Sequence, residues 1–260
     1  MPTCRTIRTT PTWAALPNVL FMKRALILLW TLLCLGSLGA GAQNIYLVSA
    51  GVSDYPGREN DLLRPADDAK AVHRLFKKNS QATSVLLTDE NANKGRILTS
   101  ARNLFSKAGE NDIVVFFFSG HGLPGGFVAY DEIIGYSEIR RVFAACKAKN
   151  KMIFADACFS GDLREGNGTA ENDPGSNVML FLSSRSNEYS IERRDMRNGI
   201  FAACLVRALK GGADTNRDRI ITAKELFSAV SAGVKDLSRN RQHPVMWGNF
   251  DDSMPVMVWK

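Results

Sequence analysis

The chain has 260 residues, enough for one sizeable domain or at most two small ones. It is 45% hydrophobic and 23% charged, a balance that excludes a disordered, collagen-like or coiled-coil protein. Five cysteines with no C-x-x-C pair also argue against a disulfide scaffold and a zinc ribbon. The formal net charge of +7 suggests nucleic-acid binding unless the basic residues are unevenly distributed.

The first 42 residues have the pattern of a secretory leader. Met22-Lys23-Arg24 precede an apolar run over 25–35, and small residues follow up to Ala40-Gly41-Ala42. We expect residues 1–42 to be a leader, with translation starting at Met22 and cleavage after Ala42. The mature protein would then be secreted or periplasmic, with no stable membrane span. The alternative is an uncleaved membrane anchor, although the apolar run is shorter than the about 20 residues a spanning helix needs.

Removing this leader changes the charge argument. Four of the 33 basic residues lie in 1–42, together with no acidic residue, so residues 43–260 carry 29 basic against 26 acidic side chains and a net charge of +3. These charges are mixed along the chain without a run of five or six of one sign. We therefore expect no nucleic-acid partner.

Residues 43–260 alternate between short apolar runs and amphipathic segments, with no visible domain break. The apolar runs predict strands over 44–51, 84–87, 112–118, 151–155, 178–182 and 244–247. The amphipathic segments predict helices beginning near Asp67, over 94–107, 137–147 and 199–209, and from Thr222. This alternation favours a three-layer αβα sandwich around a mainly parallel sheet of about six strands. The polar, glycine-rich composition of residues 162–177 predicts a loop.

Two predicted strands end in loops with reactive side chains. Ser119-Gly120-His121-Gly122 follows one strand, and Asp156-Ala157-Cys158 follows another. In open α/β sheets the site lies beyond the carboxyl ends of the strands, so these loops converge if the two strands are neighbours. A cysteine thiolate is a nucleophile, and an imidazole within reach can take its proton and later protonate a leaving amine. Cys158 and His121 are therefore the candidate catalytic pair.

The remaining cysteines and histidines have structural interpretations. Cys146 and Cys204 lie in apolar helical stretches and are predicted to be buried. His73 lies beside the apolar face of a helix, and His243 precedes a proline. A serine hydrolase using Ser119 is less favoured because the G-x-S-x-G motif is absent.

The S-G-H-G and D-A-C-x-S-G motifs resemble those of the caspase and metacaspase superfamily of cysteine peptidases, which share the caspase-haemoglobinase fold. The resemblance extends over 43–260 and also includes, in the same order, Tyr55, Asp67-Asp68-Ala69, Gly211-Gly212-Ala213-Asp214 and Gln242-His243-Pro244. It implies a caspase-like fold, with His121 as general base and acid and Cys158 as nucleophile. It also implies an oxyanion hole formed by the backbone N–H groups of Gly122 and Cys158.

The sequence departs from caspases proper in a way that bears on specificity. The Q-A-C motif is absent, Asp156 stands where the glutamine would be, and the His–Cys separation of 37 residues is shorter than the about 50 of caspases. These features resemble metacaspases and their bacterial relatives, which cut after Arg or Lys. The resemblance implies an acidic S1 pocket of Asp156, Asp68 and Ser119, and a peptide or protein substrate with Arg or Lys at P1. Asp67 is an alternative to Asp68.

Two further hypotheses concern activity and processing. Phe159 stands where many metacaspase-type sequences carry histidine, which leaves open a catalytically inactive caspase-like interaction module. Self-cleavage in the 162–177 loop, which contains Arg164, or within 193–197 is a second hypothesis, because long polar loops are preferred sites of nicking. The sequence predicts no oligomeric state.

One loop has the spacing of calcium ligands. Asp214, Asn216, Asp218 and Glu225 follow the D-x-N-x-D…E pattern of an EF-hand. Arg219, however, occupies the sixth position, where the sharp turn of such loops needs glycine. The alternative is that Thr222 and Glu225 form a helix capping box, which needs no metal. The proposed peptidase chemistry itself requires no cofactor.

Overall fold

The fold is an α/β sandwich, seen in a computed structural model that describes residues 43–157, 178–185, 188 and 190–259. The strands are β1 (Ile45–Gly51), β2 (Ala82–Thr88), β3 (Ile113–Ser119), β4 (Gly122–Leu123), β5 (Gly126–Val128), β6 (Ile133–Gly135), β7 (Asn150–Asp156), β8 (Val178–Leu182), β9 (Ile220–Thr222), β10 (Val245–Trp247) and β11 (Pro255–Val258). The helices are α1 (Pro65–Phe76), α2 (Lys94–Phe105), α3 (Tyr136–Ala144), α4 (Ile200–Arg207) and α5 (Ala223–Leu237), with a π-helical turn at Ala208–Gly212.

The central sheet has six strands in the order β10-β8-β7-β3-β1-β2. All neighbouring pairs are parallel except β10 and β8. Every residue of β3 is buried, and so are all but the first of β7. Such continuous apolar strands form where helices cover both faces of a parallel sheet.

The two faces of the sheet carry separate cores. In β1, Ile45 and Leu47 point to one face, whereas Val48 and Ala50 point to the other. Helices α1, α4 and α5 pack on the first face, and helices α2 and α3 pack on the second. The predicted three-layer αβα sandwich with a mainly parallel sheet of six strands is therefore confirmed.

Two groups of short strands were not predicted. Strands β4, β5 and β6 form a small antiparallel sheet directly after His121, and β9 pairs antiparallel with β11. Most of these strands have only two or three residues, too few for a period-two pattern to emerge. The small sheet matters here because it follows the candidate catalytic histidine.

Within the described residues, no helix combines the length and apolar character required to cross a bilayer.

Candidate active site

The two predicted strand-end loops lie side by side. Strands β3 and β7 are neighbours, and their register pairs Ser119 with Asp156. Beyond the paired strands, the N–H of Gly120 donates to the carbonyl of Asp156 over 3.2 Å. Cys158, the predicted nucleophile and second oxyanion donor, lies outside the described residues, as does the 162–177 loop. The described part of the site therefore consists of His121, its supports and the pocket beside it.

His121 is oriented by a backbone carbonyl. Its Nε2 lies 2.8 Å from the carbonyl oxygen of Asn60. A carbonyl oxygen only accepts, so Nε2 carries the hydrogen, and in the neutral ring Nδ1 is left as the acceptor. This is the tautomer a general base needs if a thiol approaches Nδ1.

The hydroxyl of Tyr55 fixes the backbone of His121. It accepts the N–H of His121 and donates to the carbonyl of Val128, both over 2.9 Å. The N–H of Val128 donates in turn to the carbonyl of His121. In a regular antiparallel pair the N–H of His121 would also donate to the carbonyl of Val128, and here the Tyr55 hydroxyl bridges these two groups instead. The Tyr55 and His121 rings also contact each other, with centroids 4.9 Å apart. A side chain at Gly120 would collide with the hydroxyl, since its Cβ would lie 2.7 Å away.

The loop between β1 and α1, residues 52–64, supplies both of these supports and is held at three points. Asp89 accepts the N–H groups of Ser53 and Asp54, and Asp61 accepts the N–H of Tyr55. At the other end, the carboxylate of Glu192 accepts the N–H groups of the last two residues before α1, over 3.0 and 3.1 Å. Glu192 therefore ties the loop that orients the histidine to the segment preceding α4.

The register of the small sheet directs the N–H of Gly122 outward. Because His121 and Val128 are a hydrogen-bonded pair, the next pair, Gly122 and Phe127, is of the non-hydrogen-bonded type. The N–H of Gly122 accordingly points away from β5 at the outer edge of the sheet. That direction suits a donor to a developing oxyanion.

A pocket opens beside His121 at the carboxyl ends of β3 and β7. Its wall includes the predicted residues Asp68, Ser119, His121 and Asp156, and it is completed by Leu62, Pro65, Gly120, Ser190, Ile191, Glu192 and Gly199. All three predicted S1 residues thus line one pocket together with the candidate catalytic histidine.

Asp68 lies near the start of α1 and is 1% exposed. Its carboxylate accepts three hydrogen bonds, from the hydroxyl of Ser119 (3.1 Å), the side-chain amide of Asn198 (2.8 Å) and the N–H of Gly199 (3.0 Å). Burial, followed by the nearby charge of Asp156, nevertheless raises the pKa of Asp68 well above its ordinary value. Its neighbour Asp67 is exposed beside Lys70 and does not line the pocket.

Asp156, the last residue of β7, is 7% exposed. Burial raises its pKa to about 6, although hydrogen bonds from Ser190, from the N–H of Ala202 and from Ser183 act in the opposite direction. The Ala202 N–H, in the first turn of α4, lies 3.3 Å from Oδ2. The N-terminal end of this helix therefore faces the carboxylate, where its unpaired N–H groups favour negative charge.

Gly199 separates the two buried carboxylates. A Cβ on this glycine would lie 3.0 Å from Oδ2 of Asp156 and 3.1 Å from Oδ2 of Asp68, so those oxygens are no more than 6.1 Å apart. Two carboxylates at this spacing, both with raised pKa values, form a site that a cation would stabilise.

Several residues of this site were not predicted from the sequence. Asn60 acts through its backbone carbonyl, which leaves no side-chain signature. Glu192 and Ser190 lie in a polar segment without a recognisable motif. Asn198-Gly199 could have been found, because Asn and Gly before an apolar helix are typical of a helix start.

The candidate calcium residues form a capped turn. Glu225 accepts from the N–H and hydroxyl of both Thr222 and Thr215, and Thr222 with Glu225 forms a capping box at the start of α5. Asp214 accepts the N–H of Arg219, and Asp218 accepts the N–H of Ile220. In the part of the chain that is described, no three or more His, Cys, Asp or Glu residues are grouped to hold a metal.

The other candidate residues have structural surroundings. Cys146 and Cys204 are buried, as predicted. His73 contacts the hydroxyl of Ser84, and His243 contacts the carboxylate of Glu188. Neither histidine lines the pocket beside His121.

The sheet order, the two helical layers and the strand-end site define the class of caspase-like α/β domains. The family model described as the caspase domain, Peptidase_C14, matches residues 49–253. The chain therefore belongs to this family, whose function is that of cysteine peptidases in general. Among solved structures it is similar to protein GSU0716 from Geobacter sulfurreducens, with a TM-score of 0.63, 14% identity, and coverage of 84% of this chain and 100% of that chain. That likeness concerns the fold. The search of curated proteins gave no match.

Proposed function

We propose that this protein is a cysteine endopeptidase that hydrolyses peptide bonds after Arg or Lys. Cys158 and His121 form its catalytic dyad, and Asp156, Asp68 and Ser119 form its S1 pocket. One observation carries the proposal: two buried carboxylates with raised pKa values lie within 6.1 Å of each other in a pocket that also contains His121. The family supplies the peptidase chemistry, and this pocket supplies the preference for a cation.

The proposed reaction begins with proton transfer from the Cys158 thiol to Nδ1 of His121. The thiolate attacks the carbonyl carbon of the scissile bond, and the resulting oxyanion accepts hydrogen bonds from the N–H groups of Gly122 and Cys158. The protonated imidazole then gives its proton to the leaving amine, which departs as the C–N bond breaks. Water, deprotonated by His121, hydrolyses the thioester and releases the enzyme.

The pocket explains the expected P1 preference by charge. A guanidinium or ammonium group between Asp68 and Asp156 favours the ionised form of both carboxylates, whereas an aspartate would add a third negative charge to a buried site. Ser119 contributes by donating to Asp68, which holds that side chain in place.

The central experiment compares turnover of a fluorogenic peptide with Arg at P1 by the wild type, Cys158→Ala and Cys146→Ala. The account predicts turnover by the wild type and by Cys146→Ala, because Cys146 is buried away from the pocket, and none by Cys158→Ala. Turnover that persists in Cys158→Ala would overturn the mechanism.

Covalent labelling distinguishes this peptidase from the alternative, an inactive interaction module with a caspase-like fold. An acyloxymethyl-ketone probe with Arg at P1 should modify Cys158 in the wild type and should fail to do so in His121→Ala, where the base is missing. Absence of labelling in the wild type, together with absence of turnover, would favour the interaction module.

The proposed enzyme is exported and loses its leader. Residues 1–42 lie outside the described residues, so this part of the proposal rests on the signal-like pattern of 22–42. N-terminal sequencing of the protein recovered from the medium or periplasm should begin at Gln43. A sequence beginning before Leu35 would contradict the leader.

Self-cleavage is retained as a proposal for two segments. Of these, 193–197 is described, and there Arg194 and Arg197 are exposed while Arg193 pairs with Asp195 over 2.6 Å. Intact mass after prolonged incubation should show a cut after one of these arginines or after Arg164 in the wild type, and none in Cys158→Ala. An unchanged wild-type mass would remove this proposal.

A further inference from the structure

The small sheet after His121 presents an apolar face to solvent. Two of the four large hydrophobic side chains that are exposed in the described residues belong to it, Leu123 at 42% and Ile133 at 49%. The opposite face carries Phe127 and Ile134, which are fully buried against the aromatic core. An exposed apolar face of this kind needs a reason when it adjoins a candidate active site.

The register places these two side chains together. Leu123 pairs with Gly126, and Val128 pairs with Ile133. A Cβ on Gly126 would lie 2.6 Å from a methyl carbon of Ile133, so the Ile133 side chain lies over the glycine, whose cross-strand partner is Leu123. The absence of a side chain at Gly126 therefore allows a continuous apolar patch, formed by Leu123 and Ile133.

The same register brings the catalytic imidazole to this face. His121 is the cross-strand partner of Val128, two residues before Leu123. Side chains alternate between the faces of a strand, so His121, Leu123 and Ile133 share one face. With a rise of about 3.4 Å per residue, the Cα atoms of His121 and Leu123 are about 7 Å apart, a spacing of two residues in an extended peptide.

The proposed reaction places the leaving group beside the His121 imidazole. His121 protonates the amine of the residue that follows the scissile bond, so that residue must lie against the histidine. The acidic pocket, in contrast, takes the residue before the bond. A peptide running from the pocket past His121 therefore continues toward the patch of Leu123 and Ile133.

We infer that this patch is a primed-side subsite that favours an apolar residue at P1′ or P2′ of the substrate. The inference rests on the proposed peptidase function, and its occupant is the peptide segment after the scissile bond. Selection by this patch comes from removing apolar surface of both partners from water. It adds a second specificity element to the cation pocket, on the other side of the bond.

The test uses two internally quenched peptides with the same Arg at P1, carrying Leu or Ser at both P1′ and P2′. For the wild type we expect kcat/KM to be about five- to tenfold higher for the Leu peptide. In Leu123→Ser and Ile133→Ser this ratio should fall toward one, and Leu123→Met should restore it. Both positions are exposed, so the substitutions should not prevent folding.

Leu63→Ser is the matched control. Leu63 is 56% exposed but lies in the loop before α1, so its removal should leave the Leu/Ser ratio unchanged. A wild-type ratio near one, or a ratio unaffected by both small-sheet variants, would overturn the inference.

A peptide amide of aminomethylcoumarin, which has no primed residues, distinguishes failure of the subsite from failure of the proposed peptidase function. Its cleavage after Arg with no primed preference rejects the subsite alone, whereas no cleavage of any of these substrates rejects the peptidase and the subsite together.

Discussion

Two acidic regions of this molecule, both conspicuous in sequence, differ in what the fold does to them. Asp68 and Asp156 are nearly fully buried at the end of the central sheet, and burial raises both pKa values. In the 214–225 loop Asp218 is exposed, and Asp214 and Glu225 are half-buried. Neighbouring N–H and hydroxyl groups of the loop bond every carboxylate oxygen of these residues except Oδ1 of Asp214, which is buried without a partner.

Glu225 shows the contrast most clearly. Burial acts to raise its pKa, but hydrogen bonds from Thr222 and Thr215 outweigh burial, and the pKa is lowered. A carboxylate compensated by its own chain has little to gain from a cation, whereas a buried pair with raised pKa values has much to gain. Buried carboxyl groups with raised pKa values, rather than acidic spacing, therefore mark the proposed cation pocket.

The largest expected effect comes from removing one pocket charge. Asp156→Asn keeps the shape of the side chain and should lower kcat/KM for a peptide with Arg at P1 by about 100-fold, because a buried charge partner is lost. Its control is Asp218→Asn in the exposed loop, which should leave kcat/KM unchanged. Equal losses in the two variants would erase the distinction between the regions.

The second effect tests the space between the carboxylates. In Gly199→Ala the new methyl group would lie 3.0 and 3.1 Å from the two Oδ2 atoms, so KM for the Arg peptide should rise by about tenfold. Gly95→Ala is the matched control, since its Cβ would meet only Asn93 Oδ1, at 3.7 Å. An unchanged KM in Gly199→Ala would show that the P1 group does not lie between Asp68 and Asp156.

The third effect is a dependence of stability on pH. The folded-state pKa of Asp156 is about 6, above its ordinary 3.8, so the folded protein binds this proton before the unfolded chain does. The stabilising contribution is fully present below pH 3.8 and is lost as the pH rises through 6.

Denaturant unfolding of the wild type and Asp156→Asn checks this sign. Between pH 7 and pH 5 the wild type should gain about 1 kcal/mol of stability relative to the variant. Binding of a cation should respond to pH in the opposite direction. The affinity of Cys158→Ala for agmatine, a small guanidinium compound, should weaken as the pH falls through about 6. Protonation of Asp156 removes the negative charge that binds the guanidinium. Parallel stability profiles for the wild type and Asp156→Asn would contradict the raised pKa.

The smallest effect concerns the capped turn. Glu225→Ala removes the capping box of α5 and should cost about 0.5–1 kcal/mol of stability in thermal or denaturant unfolding. Glu90→Ala, at an exposed position outside any cap of α5, is its control. Millimolar calcium should leave the wild-type Tm unchanged, since donors of the turn itself bond all the carboxylate oxygens of Glu225 and Asp218. A calcium-dependent rise in Tm that disappears in Asp218→Asn would instead assign a metal to this loop.

The main sheet could be predicted because its signals are strong and local, and the same signals place the candidate site. The run DIVVFFF has the short, continuous apolar pattern of a strand buried on both faces, and the loops after it and after KMIF carry the candidate catalytic residues. The choice between Asp67 and Asp68 could not be made, because both residues lie in the first turn of the same helix and only packing buries one of them.

The contacts that support the histidine could not be predicted, although the resemblance includes Tyr55. The carbonyl of Asn60 that orients His121 would be present whatever residue stood there, and the Tyr55 hydroxyl reaches across 66 positions of the chain. The strands of the small sheet are too short for a hydrophobic period, so the face shared by His121, Leu123 and Ile133 emerges only from the register.

The most direct test of the account is a P1 profile with a fluorogenic peptide library, measured for the wild type and Cys158→Ala under the same conditions. The account predicts release after Arg and Lys by the wild type, none after Asp, and no release after any residue by Cys158→Ala. Release after Asp, or release after Arg that persists in Cys158→Ala, would contradict it.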